Sequence, residues 1–158
     1  MSCISVMVHV ERIEFKIVKN AVLEIFPIAS FEGWELIPDS IHQLAATQGT
    51  ELPWKDTPNL TAHADGLVDL DESEFLQLAF YKHKPQGRLY LVTHNCFNKR
   101  EAYGLDSRDL LEFVKNIHEL ENEVPFVQPT DYVFVNPEQN LITLIHHEGQ
   151  VVQYRRWI

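Results

Sequence analysis

Tyr132-Val-Phe-Val-Asn-Pro-Glu-Gln-Asn-Leu-Ile-Thr-Leu-Ile-His-His-Glu-Gly-Gln-Val-Val-Gln-Tyr-Arg-Arg-Trp157 is the stretch that decides the fold. Tyr132 to Val135, Leu141 to His147 and Gln150 to Trp157 are rich in β-branched and aromatic residues. Asn136-Pro137-Glu138-Gln139-Asn140 and Glu148-Gly149 separate them with turn-forming residues. Three short strands joined by short turns make an antiparallel meander.

Upstream lies the clearest helix of the chain. Asp106 or Ser107 can cap it, and Leu110, Phe113 or Val114, Ile117 and Leu120 recur on one face. Arg108, Glu112, Lys115, Asn116 and Glu119 fall on the other face, and Pro125 bars further extension. Before it, Glu74 to Tyr81 and Arg88 to Thr93 are apolar, aromatic-rich runs separated by Lys82-His-Lys-Pro-Gln-Gly87. They predict two strands of a hairpin with a long loop. Met1 to Phe26 contains no glycine or proline. Its β-branched first half predicts a strand, followed by a helix or a second strand that ends before Pro27.

The segment between is irregular, with Pro38, Pro53 and Pro58 among Gly33, Gly49 and Gly66. A short helix from Asp39 or Ser40 to Gln48, closed by Gly49, is predicted there, with a loop over Thr50 to Asn59. The expected architecture is a single α+β domain over residues 1–158. It has an antiparallel sheet of about five to six strands ending in the C-terminal meander, with one or two helices packed on one face.

Charge is distributed unevenly along the chain. Of the net charge of −10, nine units arise between Glu32 and Glu74, where ten acids face a single base, Lys55. Phe75 to Arg100 then holds five bases (Lys82, Lys84, Arg88, Lys99 and Arg100) and no acid. A pI near 5.2 argues against nucleic-acid binding, which needs clustered Lys and Arg to neutralise phosphates. No apolar run approaches the roughly 20 residues that span a bilayer, and no signal-peptide pattern is present. Two cysteines, Cys3 and Cys96, make no disulfide framework and lack zinc-finger spacing. A reduced, cytoplasmic setting is expected.

Several residue sets could carry chemistry. His94-Asn95-Cys96 places an imidazole two residues from a thiol, a spacing that on a strand end could lower the thiol pKa; a buried structural cysteine is the preferred reading. His63-Ala64-Asp65 puts an imidazole and a carboxylate on one face of an extended segment, without a third ligand. His146 and His147, adjacent in a strand, point to opposite faces and cannot chelate one ion. Asp69, Asp71 and Ser73 match the first ligands of a calcium loop, but Glu74 stands at its glycine position and Phe80 at its bidentate acid. The stretch therefore reads as a solvated acidic loop that caps the following element. No metal site and no cofactor is expected, since phosphate loops, nucleophile elbows and zinc motifs are all missing from the sequence.

Trp34 and Trp54 sit within the acidic stretch. They either close the core beneath loops or anchor a surface that Asp56, Asp65, Asp69, Asp71 and Glu72 rim with carboxylates. The leading expectation is a non-enzymatic binding protein that turns this acidic face toward a basic protein partner, as immunity proteins and inhibitors of basic enzymes do. The final strand–turn–strand run faintly resembles the endings of small bacterial immunity-type proteins, without a shared motif. The alternative is a small-ligand-binding or cofactorless enzymatic domain using His94, Cys96, His63 and Asp65. Homodimerisation, with the basic segment of one copy against the acidic loop of another, fits either reading. The basic segment could equally neutralise the acidic stretch within one molecule.

Overall fold

The computed structural model describes residues 10–27, 31–32, 35–36, 50–53, 71–93, 96, 100–116, 132–146 and 150–156. In chain order the elements are β1 (Glu11–Glu14), α1 (Phe15–Ile25), β2 (Phe31–Glu32), β3 (Glu35–Leu36), β4 (Thr50–Pro53) and α2 (Glu72–Ala79). They continue with β5 (Arg88–Val92), β6 (Glu101–Asp106), α3 (Leu110–Asn116), β7 (Tyr132–Asn136), β8 (Leu141–His146) and β9 (Gln150–Arg155). Six strands form one antiparallel sheet in the order β1-β6-β5-β7-β8-β9. β4 adds a seventh at the edge beside β9, and β2 pairs with β3 separately.

The α+β class and the C-terminal meander are as the sequence predicts. β7 pairs with β8 from Tyr132↔Ile145 to Asn136↔Leu141, and β8 with β9 from Leu141↔Arg155 to His146↔Gln150. Antiparallel partners share a face, so Tyr132, Phe134, Thr143, Ile145, Val151 and Gln153 point one way while Val135, Ile142, Leu144, Val152 and Tyr154 point the other. Every residue from Leu141 to Ile145 is buried, which requires cover on both faces.

Aromatic contacts identify the two covers. On the first face, Phe75 of α2 meets Tyr132 edge-on at 5.1 Å, and Phe80, just after α2, meets Phe134 at 5.2 Å. Phe113 of α3 meets Tyr103 of β6 at 5.0 Å, and β5 carries Tyr103 onto this face through Leu91 and Phe134. On the opposite face Phe26, at the end of α1, packs edge-on against Tyr154 at 5.0 Å. α1 buries Phe15, Val18, Ala21, Val22 and Ile25, spaced as a helix facing a sheet must be. Among the described residues two helices thus share one face, and α1 covers the other, where the sequence predicts one or two helices on a single face. Each edge-on pair contributes about 0.5–1.5 kcal/mol beyond the area it buries.

Two local differences from the sequence expectation have clear physical causes. The predicted strand Glu74–Tyr81 is instead the helix α2. Asp71 caps it: its carboxylate accepts from the Glu74 amide (2.8 Å), and the Glu74 side chain accepts from the Asp71 amide (3.2 Å). That reciprocal box satisfies two donors that an N-terminal turn otherwise leaves open. Phe75 and Ala79, four residues apart, then fall on one buried face. Thr50–Pro53, expected as loop, is the edge strand β4, and edge strands are where a sheet tolerates proline. At the N-terminus the strand-then-helix alternative is the one adopted. The helix expected from Asp39 or Ser40 to Gln48 lies outside the described residues.

Between α2 and β5 the basic loop is held from beneath by two glutamines. The Gln153 side chain, 1 % exposed, accepts from the amides of Lys82 (3.0 Å) and His83 (2.8 Å), and donates to the His83 carbonyl and Thr143 Oγ1 (both 3.0 Å). Gln139, in the turn between β7 and β8, accepts from the Gln86 amide and donates to the Lys84 carbonyl, each at 2.8 Å. Each side-chain amide thereby acts as a short piece of neighbouring strand. Replacing Gln153 with Ala strands two part-buried amides, so unfolding free energy should fall by about 2 kcal/mol. Chemical denaturation reads that loss, and hydrogen exchange should quicken at Lys82 and His83; unchanged protection at both amides would contradict this role.

Candidate functional site

α2, the bracketed loop and the start of α3 meet around one cleft. The loop reaches α3 through Ser107, whose amide and hydroxyl both donate to the Gly87 carbonyl at 2.8 Å. Gly87 has φ of 70°, and a side chain there would collide with the Glu138 carboxylate, so glycine suits both the turn and the close approach. Asn136 Nδ2 donates to Ser107 Oγ (3.3 Å), which ties this junction to β7. Asp106 then begins a single turn of 3-10 helix over Ser107–Asp109, accepting from the Arg108 amide at 3.0 Å. These bonds fix how far α3 stands from α2.

The resulting space encloses about 220 Å³. Its floor is apolar: Phe80 and Leu110 are buried, and Leu76 and Leu111 are half-buried walls. Pro85 and Lys84 close the end nearest the loop, and Arg108 stands beside them on the 3-10 turn. Ser73 and Gln77, one turn apart on α2, add polar groups to the rim. The charged groups on the rim, Lys84 and Arg108, are both basic. Glu72, Asp109 and Glu112 are neighbours in sequence of lining residues. Arg108 Nε lies 3.7 Å from Asp106 Oδ1, which offsets part of its charge.

On the loop beside the cleft, Lys82 and Lys84 are exposed and His83 is half-buried. Partial burial, then the positive charges of Arg155 and Lys82, hold the His83 imidazole below its ordinary pKa. Arg88 at the loop's end is ion-paired: its Nη2 lies 2.9 Å from Glu11 Oε2 on β1, and its guanidinium lies over the Tyr90 ring.

Cys96 is 3 % exposed within the core cluster. Its sulfur lies 3.4 Å from Thr93 Oγ1 and 4.0 Å from the Leu91 carbonyl, both buried contacts. Asp71 and Glu72 open α2, and Asp71 spends its carboxylate on the cap. His94, His63, Asp65, Trp34, Trp54, Asp56 and Asp69 lie outside the described residues. The cleft residues were not singled out by sequence because their helix was read as a strand. The helical spacing of Ser73, Leu76, Gln77 and Phe80 carried that signal. Among the described residues no three His, Cys, Asp or Glu side chains stand close enough to share a metal ion, and no helix is long and apolar enough to cross a membrane.

Comparison with protein-family models, with curated proteins and with solved structures returns no match.

Two expectations follow for this region. Cys96 is buried in the core, where a solvent-borne reagent does not reach its sulfur. Iodoacetamide should therefore leave this residue unmodified in the folded protein and label it in denaturant; rapid native labelling at Cys96 would contradict the burial. For His83, the folded chain holds the proton less readily than the unfolded chain. Its contribution to stability is complete above the ordinary value of 6.5 and is lost as pH falls through the lowered folded value. In His83→Gln the unfolding free energy should decline less steeply below about pH 6.5 than in the parent. Parallel pH profiles would rule the residue out.

Proposed function

We propose that this protein is a non-enzymatic binding protein that turns an acidic side toward a basic protein partner, in the manner of immunity proteins and inhibitors of cationic enzymes. The observation that carries the reading is the acidic start of α2, where Asp71, Glu72 and Glu74 close the acidic stretch. Carboxylates on such a face speed encounter with a cationic surface and select against anionic ones.

The enzymatic alternative built on His94, Cys96, His63 and Asp65 is the weaker one: Cys96 packs among core residues, its sulfur against Thr93 and a backbone carbonyl. Under the preferred reading the protein works in the cytoplasm, leaves nucleic acid alone, and can self-associate without losing the face.

The test is binding of a panel of small basic proteins by interferometry, with duplex DNA as the anionic control. Affinity for a basic partner should fall with added salt. It should drop by at least about tenfold in a variant carrying Asp65→Lys, Asp69→Lys and Glu72→Lys, since each close charge pair is worth a fraction to several kcal/mol. Asp71 is left intact because its reversal would break the α2 cap. Salt-independent binding, equal affinity for DNA, or no binding across the panel would overturn the proposal.

A further inference from the structure

We infer that the α2–α3 cleft binds a small free monocarboxylate with an unbranched apolar tail, the tail on the leucine floor and the carboxylate between Lys84 and Arg108. The inference goes beyond the acidic-face reading and is independent of it, because none of the residues lining this cleft is an acid.

Charge distinguishes the two ends of the space. Lys84, Pro85, Ser107 and Arg108 meet where the loop reaches the 3-10 turn, and the two bonds from Ser107 to the Gly87 carbonyl hold loop and turn together. The lining side chains carry two positive charges and no negative one. Among the described residues Lys84 forms no ion pair. Arg108 has one, at 3.7 Å from Nε to Asp106 Oδ1, which is longer than a hydrogen bond. Since Asp106 offsets part of the second charge, a monoanion balances this end better than a dianion does. Both cations are exposed, so each contact with an anion is worth little. Charge therefore sets the preference for an acid, and the tail must supply the affinity.

The floor is suited to that tail. Phe80 and Leu110 are buried beneath the half-buried Leu76 and Leu111, and none of the four offers a side-chain hydrogen bond. A peptide amide laid on this floor would lose its hydrogen bonds to water, whereas a hydrocarbon chain has none to lose. About 220 Å³ is the space of roughly seven water molecules, enough for a chain of medium length and below the roughly 300–1,000 Å³ of sites for larger ligands. Gln139 bonds the backbone at Lys84 and Gln86, on both sides of the rigid Pro85, so the head-group end is preformed. Preformation avoids part of the ordering cost of binding.

The experiment titrates the full chain, methyl-labelled at leucine, with octanoate, butanoate, octylammonium and acetyl-glycyl-leucine, each below the concentration at which it aggregates. Octanoate should shift the methyl signals of Leu76, Leu110 and Leu111. It should bind at least about tenfold more tightly than butanoate, since each buried methylene is worth about fourfold. Its advantage over octylammonium should also be about tenfold, because two exposed charge contacts turn from attractive to repulsive. Lys84→Glu combined with Arg108→Glu changes two exposed side chains and should remove that advantage in a folded protein. Leu111→Trp, which fills the cleft from its half-exposed wall, should abolish the octanoate shifts. Gln77→Trp, on the exposed rim of α2, does the same job should the first variant fail to fold. Absent octanoate binding, shifts confined to other leucines, or equal affinity for octanoate and butanoate would overturn the site. Equal affinity for octanoate and octylammonium would overturn its charge assignment. Tighter binding of acetyl-glycyl-leucine than of octanoate would overturn the free acid as ligand and assign the cleft to peptide C-termini.

Discussion

The structure depends on the requirement that β8 be covered on both sides. Leu141, Ile142, Thr143, Leu144 and Ile145 are all buried, and no single layer of helices can bury both faces of one strand. Each fully buried aliphatic side chain contributes about 1.5–3 kcal/mol, so leaving either face wet would forfeit a large part of a typical domain's net stability. α1 therefore lies on the face of Ile142 and Leu144, and α2 with α3 on the face of Phe134 and Ile145. The cleft exists because the second cover is built from two short helices rather than one long one. Where α2 and α3 diverge, Phe80 and Leu110 remain at the bottom of an unfilled space.

Polar groups decide how these layers are held apart. Thr143 and Gln153 sit at paired positions of β8 and β9 on the face that α2 and α3 cover, almost without exposure. Buried amides are stable only when bonded, and Gln153 is satisfied by the backbone of Lys82 and His83 and by the Thr143 hydroxyl. The arrangement stabilises the side chain and fixes the loop at once. With Gln139 acting on Lys84 and Gln86, a run with two exposed lysines and a proline has a defined path, and the cleft inherits a rigid end.

Legibility varied with how local the signal was. The C-terminal meander was readable because β-branched runs and turn residues act within a few positions. The helix after Asp106 was readable for the same reason, and its start falls at the cap the sequence offers. α2 was misread as a strand because aromatic and aliphatic crowding outweighed its capping pattern; Asp71 and Glu74, three residues apart, were the decisive letters. β6 carries Ala102, Gly104 and Asp106, residues of poor strand propensity, and has no strand signal in the sequence. Pairing with β1 and β5 on both sides stabilises it regardless, and the Arg88 side chain crosses where a Gly104 side chain would stand. The continuous apolar run Leu141–Ile145, rather than an alternating one, was the available hint that both sheet faces are covered.

By itself the sequence determined the α+β class, the meander, the imbalance of charge and the exclusion of familiar cofactor motifs, since each follows from residue type and short spacing. Tertiary structure alone decided which face each helix covers, that Cys96 is core, that Gln139 and Gln153 hold the basic loop, and that α2 and α3 leave a cleft beside the end of the acidic stretch. Those outcomes arise from contacts between residues dozens of positions apart. Gln153 lies 70 and 71 positions from the His83 and Lys82 amides it accepts from, and no local pattern encodes such a pairing.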